Sequence, residues 1–132
     1  MVHEWALAEA IVEYVKSNYP NINKFKRIEI LLGELQSIDE EILGFSLKEI
    51  LKSENITVDE LVLGEEEAVL RCRRCGHEWR LKELKLEDEV KEAIHFVPEV
   101  AHSFIKCPKC GSRDFEVVRG RGVYVKEVIP YE

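Results

Sequence analysis

Four cysteines constrain this chain more than any other feature, standing as two pairs of one form, Cys72-Arg73-Arg74-Cys75 and Cys107-Pro108-Lys109-Cys110. A two-residue spacing lets both sulfurs of one turn face the same ion, and four soft thiolates match closed tetrahedral Zn²⁺ coordination. A glycine follows each pair, Gly76 and Gly111, where such a turn needs positive φ and bare backbone amides directed at sulfur. The alternatives are a redox pair or ordinary buried thiols. The pairing favours zinc, and with four thiolates as ligands no coordination position stays open for catalysis.

Between Cys75 and Cys107 lie 31 residues, too many for one tight turn. The zinc ribbon is therefore expected over 68–119 with a helical insert at 81–106, helical most clearly from Leu81 to Glu92. So small a module buries little apolar surface, so the metal supplies most of its folding free energy, about 10 kcal/mol in comparable peptides.

The rest of the chain reads as helix, strand, helix, strand. Trp5, Ala8, Val12, Val15 and Tyr19, with Leu7 and Ile11 beside them, recur at spacings of three and four and predict a helix over 4–19, ended by Pro20. Ile28, Ile30 and Leu32 alternate with Arg27 and Glu29 in a strand over 25–32. Ser37-Ile38-Asp39-Glu40 has the form of a capping box, and Ile42, Phe45, Leu47, Ile50 and Leu51 continue as a second helix to about Lys52. A strand follows over 56–63, then Gly64 and Glu65-Glu66-Glu67 mark a shift in composition. After the cysteines come strand 115–118, the bend Gly120-Arg121-Gly122 and strand 123–129. The expected class is α+β. A small two-helix, three-strand domain occupies 1–67 and 120–132, the zinc ribbon 68–119, and the last strand returns to the first domain.

The chain has 132 residues, 45% of them hydrophobic, which fits a folded globular protein. No run approaches the length of a spanning helix, and MVHEWALAEA lacks a secretory leader, so a cytoplasmic protein is expected. With 26 acidic and 19 basic residues the net charge is −7, which argues against broad phosphate neutralisation. Arg71, Arg73, Arg74 and Arg80 around the first cysteine pair are the one rival feature, as in a transcription-type, nucleic-acid-binding zinc ribbon. Against it stand the overall charge and the lack of aromatics interleaved with the arginines. Glu and Lys dominate the charged residues, and Gln36 is the single glutamine, a bias reported for hyperthermophiles.

The second candidate site is the chain start. Amine, backbone amide nitrogen and the His3 imidazole can close fused chelate rings, a nitrogen-rich planar set suited to Ni(II) or Cu(II). A helix N-terminus repels cations, so anionic help from Glu4 or a deprotonated amide is required. The ordinary alternative is a solvated end or an N-cap. His95 and His102 in the insert are further candidate ligands, while a histidine among apolar residues is commonly a packed core residue. His77 is redundant beside four cysteines, and Asp39 reads as a capping carboxylate. His3, Glu4 and His95 have the composition of a zinc-enzyme set, but no general base or pocket can be read, so no catalytic residue is assigned and an enzyme is not expected.

Met1-Val2-His3-Glu4-Trp5-Ala6-Leu7-Ala8, Gly33-Glu34-Leu35, the two cysteine pairs and Gly120-Arg121-Gly122 together resemble the HypA/HybF hydrogenase nickel-incorporation family over nearly the whole chain. The long insert resembles its archaeal members. The resemblance implies a nickel metallochaperone with Ni²⁺ as cargo and a structural Zn²⁺ on Cys72, Cys75, Cys107 and Cys110. It makes the first domain the nickel-binding one, with His3 and Glu4 inheriting the nickel site, Met1 and Val2 supplying amine and amide nitrogens, and His95 adding a ligand. Asp39 matches a position where an acidic residue approaches nickel in some relatives. The implied partners are the GTPase HypB and the large-subunit precursor of a [NiFe]-hydrogenase, with no membrane or nucleic-acid partner. Val2 departs from the family's Met-His-Glu start and moves the histidine to third position when Met1 is retained. Loss of Met1, expected before a small residue such as valine, restores it.

Overall fold

The computed structural model describes residues 2–36 and 38–131, and of Val2, His95 and Pro98 the backbone alone. The chain forms two compact units, one from residues up to 31 with 38–64 and 124 onward, the other from 32–37 and 65–123.

In the first unit helix α1 (Val2–Asn18) packs on α2 (Glu40–Ser53). Ala8, Ile11, Val12 and Val15 of α1 are buried, as are Leu43, Leu47 and Leu51 of α2 and Phe25, Ile28 and Ile30 of strand β1 (Lys24–Gly33). Two aromatic side chains expected on the buried faces lie outward, Trp5 at 44% and Phe45 at 63% exposure. The inner side of α1 at that level is taken by Glu4 and Ala8, and that of α2 by Ser46 and Leu47.

The cap of α2 also differs from the expected capping box. Its N-cap is Asp39, whose Oδ1 accepts the Ile42 N–H at 3.0 Å; Ser37 lies outside the described residues. At the other end Asn55, with φ of 57°, turns the chain out of the helix while Ile56 N–H bonds Leu51 C=O at 2.9 Å, the left-handed stop in which asparagine replaces glycine.

Strand β2 (Thr57–Glu66), β1 and the last strand β6 (Val123–Pro130) form one sheet with β1 central, so the last strand returns as expected. Thr57 N–H bonds Asn23 C=O and Glu34 N–H bonds Glu66 C=O, each at 2.8 Å, so β2 runs parallel to β1. Gly33 N–H to Gly122 C=O at 2.8 Å and Tyr131 N–H to Lys24 C=O at 3.1 Å set β6 antiparallel to it. Arg27 on β1 meets Glu60 of β2 and Glu127 of β6, tying the three strands on their solvent face.

The second unit holds an antiparallel sheet in the order β4 (Glu78–Arg80), β3 (Val69–Cys72), β5 (Phe115–Arg119). Leu70 stands opposite Trp79 on one side and Val117 on the other, and Cys72 opposite Phe115. Over this sheet Leu35, Leu70, Trp79, Leu81, Ile94, Ala101, Ile105 and Phe115 make one buried cluster. The insert is less helical at its start than its sequence suggests. Leu81–Glu83 is a single 3-10 turn, and helix α3 runs over Asp88–Phe96, followed by the short helix α4 (Ala101–Phe104). Leu84 and Leu86 pack against the cluster from the stretch between. Residues two apart on an extended chain point the same way, so holding both there opposes a continuous helix.

The segment Gly33-Glu34-Leu35 joins this unit through backbone contacts. Leu35 is buried in the cluster, its N–H bonding Gly120 C=O at 2.9 Å. Glu34 Oε1 accepts Ala68 N–H at 2.7 Å, and Glu66 Oε1 accepts Gly120 N–H at 2.9 Å.

Candidate metal centre

The two cysteine turns are built alike. In the first, Gly76 N–H bonds Cys72 C=O at 2.9 Å and Cys72 N–H bonds His77 C=O at 2.8 Å. In the second, Gly111 N–H bonds Cys107 C=O at 2.9 Å and Cys107 N–H bonds Ser112 C=O at 2.8 Å. Gly76 and Gly111 have φ of 80° and 79°, the left-handed conformation the sequence demands of them. Backbone amides aim at sulfur in each: Arg74 and Cys75 N–H approach Cys72 Sγ at 3.4 Å, and Cys110 N–H approaches Cys107 Sγ at 3.5 Å.

The four sulfurs converge. Cys72 and Cys110 Sγ lie 3.5 Å apart, Cys75 and Cys107 Sγ 3.6 Å, and all four lie within 4.8 Å of one another. A zinc ion at about 2.3 Å from each sulfur has S···S edges of about 3.8 Å, so the donor set fits one tetrahedral ion. No disulfide links the cysteines. The amide of Cys75, with that of Arg74, lowers the Cys72 thiol to about 6 against the opposing effect of burial. Cys110 receives the Ser112 amide, yet burial and the neighbouring thiols push it up to about 11. Thiols this close oppose each other's ionisation, and a divalent cation removes that opposition. Bound there, zinc would cross-link the turn after β3 to the turn before β5 and serve structure.

Three of the four arginines near this centre, Arg71, Arg73 and Arg80, face carboxylates. Arg71 meets Glu116 at 2.5 Å and Glu78 at 3.5 Å. Arg73 meets Asp114 at 3.0 Å and Arg80 meets Glu83 at 2.9 Å. A patch neutralised in this way is a poor phosphate cradle.

The residues proposed at the chain start are placed differently from one another. Met1 lies outside the described residues, and Val2 contributes backbone to α1. His3 is exposed in the first turn of α1, whereas Glu4 is 5% exposed, its Oε2 accepting the Asp39 N–H at 2.9 Å. That bond lowers the Glu4 pKa against burial, which raises it. The link between Glu4 and Asp39 has no signature in sequence, because it joins residues 35 positions apart.

His95 lies on the backbone of α3, its side chain outside the described set. His102 stacks on Phe115 with centroids 4.2 Å apart, and its Nδ1 lies 3.0 Å from Arg113 O. His77 stacks on Trp79 at 5.9 Å.

Fold and centre thus define the class: an α+β protein whose ribbon is built around a four-thiolate metal site. The chain belongs to the HypA family, the hydrogenase/urease nickel-incorporation metallochaperones, whose pattern matches residues 2–129. It is 52% identical over 130 residues to the hydrogenase maturation factor HypA of Pyrococcus abyssi, covering 94% of this chain and 92% of that one. To the HypA of Thermococcus onnurineus it is 50% identical over 133 residues, covering 96% and 94%. The fold is also that of the solution structure of the Ni metallochaperone HypA from Helicobacter pylori, with a TM-score of 0.61, 15% identity and 96% of each chain covered. Among the described residues no helix is long and apolar enough to cross a membrane.

Proposed function

We propose that this chain carries Ni(II) on its N-terminal segment, Met1 to Glu4, and delivers it for the maturation of a [NiFe]-hydrogenase. The observation that carries the reading is the family match over residues 2–129, which includes His3 and Glu4. The His3 imidazole, with the amine and the first backbone nitrogens, forms the planar set that Ni(II) favours, and His95 adds a donor from the insert. The thiolates of Cys72, Cys75, Cys107 and Cys110 hold a structural zinc that keeps the ribbon folded and is not cargo. The GTPase HypB and the hydrogenase large-subunit precursor are the partners, and exchange takes place in the cytoplasm.

Native mass spectrometry of the parent and of His3→Ala, as isolated and after addition of Ni(II), tests this reading and reads directly whether Met1 is present. The expected result is one zinc in both proteins and one nickel in the parent alone. Nickel bound equally by His3→Ala overturns the N-terminal site.

A further inference from the structure

A complete capping box satisfies two of the unpartnered N–H groups at a helix start. The cap side chain takes the N–H of the third helical residue, and a carboxylate at that third position reaches back to the N–H of the cap. At α2 the first half is present, Asp39 Oδ1 accepting the Ile42 N–H at 3.0 Å. The third residue is itself Ile42, which has no carboxylate to return. The second half comes from the other helix: Glu4 Oε2 on α1 accepts the Asp39 N–H at 2.9 Å.

We infer that Glu4 is a positioning residue of the nickel site, closing the capping box of α2 from α1 and so fixing the turn that carries His3, and that it donates no oxygen to nickel. This rests on the N-terminal reading given above. Glu4 is 5% exposed where its neighbour His3 is exposed. A buried carboxylate keeps its charge only where donors hold it. Here the Asp39 amide and the positive end of α2 do so. Turning Oε2 toward a cation would give up the Asp39 N–H and loosen the start of α2. Adjacent residues of a helix share a rigid backbone, so anchoring Glu4 leaves the His3 imidazole to turn on a fixed base, an arrangement of supporting residues that tunes metal sites generally.

Glu4→Gln and Glu4→Ala test the assignment. Glutamine keeps a carbonyl oxygen for the Asp39 N–H and removes the charge; alanine removes both. The readouts are Ni(II) affinity by competition with a chromophoric chelator, the absorption bands of bound nickel, and hydrogen exchange over 38–43 with and without nickel. Glu4→Gln is expected to keep the parent's nickel bands and to lose less affinity than Glu4→Ala, which is expected to bind about ten- to a hundredfold more weakly. Protection at Asp39 is expected to persist when the parent is loaded. A Gln variant with shifted bands and the affinity of the Ala variant, or loss of Asp39 protection on loading, makes Glu4 a direct ligand and overturns the inference. So does an Ala variant that binds like the parent. Should Glu4→Ala fail to fold, the Gln variant and the exchange measurement still decide. His3→Ala in the same assay separates the two readings, since nickel retained there removes the N-terminal site whatever Glu4 does.

Discussion

The backbones of Gly33 and Gly120 touch: a Cβ built on Gly33 would overlap the Gly120 carbonyl and lie 2.8 Å from Arg121 N. On its other side Gly120 is pressed against Ala68, where an added Cβ would fall 2.6 Å from the backbone nitrogen. Three segments far apart in sequence therefore cross with main chain against main chain. The bonds from Leu35 N–H to Gly120 C=O, at 2.9 Å, and from Ala68 N–H to Glu34 Oε1, at 2.7 Å, tie that crossing together.

Alanine at these positions should separate steric from conformational effects. Gly33→Ala meets rigid backbone and should lower stability by about 1–3 kcal/mol from overlap alone. Gly120→Ala meets backbone and also sits at φ of 90°, so it should be the worse of the two. Gly76→Ala is the control: its φ is 80° but nothing lies within 4 Å, so only the left-handed penalty of about 1–2 kcal/mol applies. Urea unfolding of the zinc-loaded proteins gives the order, and a Gly33→Ala protein as stable as the parent would show that the crossing is looser than described.

Removal of the metal should unfold the ribbon first. Only 3.5 to 3.6 Å separates the paired sulfurs, and thiolates left so close without a cation repel or protonate. A strong chelator, or Cys72→Ser, should abolish amide protection in β3, β4 and β5, a loss of about 10 kcal/mol by comparison with small zinc modules. The amides of α1 and α2, whose buried residues include Ala8, Val15, Leu43 and Leu47, should remain protected. Hydrogen exchange followed by mass spectrometry reads both regions at once, and a metal-free ribbon that kept its protection would assign its stability to the apolar cluster instead.

Tyr131 provides a pH dependence at the alkaline end. Its hydroxyl donates to Asp59, and that bond, with burial and the Asp59 charge, raises its pKa above 10. Lys24 and Lys26 lie over the same ring with Nζ 4.7 and 5.3 Å from its centroid. Because the folded value lies above the unfolded one, the stabilisation is present in full below pH 10 and is lost as pH rises through the raised value. Among four tyrosines, Tyr131 should ionise late when followed by NMR, and Asp59→Asn should bring it down. An unchanged titration in the variant would place the cause in burial alone.

Much of the architecture was legible because it is written in local pattern. The cysteine spacing with Gly76 and Gly111 announced two knuckles, and apolar pattern announced α1, α2 and strands β1, β2, β5 and β6, while the short strands β3 and β4 on either side of the first knuckle went unread. What sequence concealed is contact between distant segments. Asp39 is the capping carboxylate its sequence suggests, but the other half of its capping box comes from Glu4, 35 positions away. Trp5 and Phe45 fit their helical faces by spacing but lie outward, since which residues fill a face depends on the partner surface. The role of Gly33 and Gly120 needs the crossing itself, and neither residue has a neighbour in sequence that reveals it.

His102 was a candidate ligand on residue type alone, and its surroundings assign it to packing. The ring stacks on Phe115 at 4.2 Å with 21° between planes, Nδ1 faces Arg113 O at 3.0 Å, and Arg113 Nη1 donates back to Ser103 O at 2.8 Å. An imidazole whose Nδ1 faces a backbone carbonyl and whose face is covered has one nitrogen left for any ion. His102→Ala should therefore lower stability by about 0.5–1.5 kcal/mol, the usual worth of a ring pair, and leave zinc and nickel stoichiometry unchanged. His95→Ala in parallel should weaken nickel binding and leave zinc in place, as the proposal that His95 adds a nickel donor requires. Nickel lost from His102→Ala and kept by His95→Ala would reverse the two assignments and make the insert contribute its imidazole from α4 instead of α3.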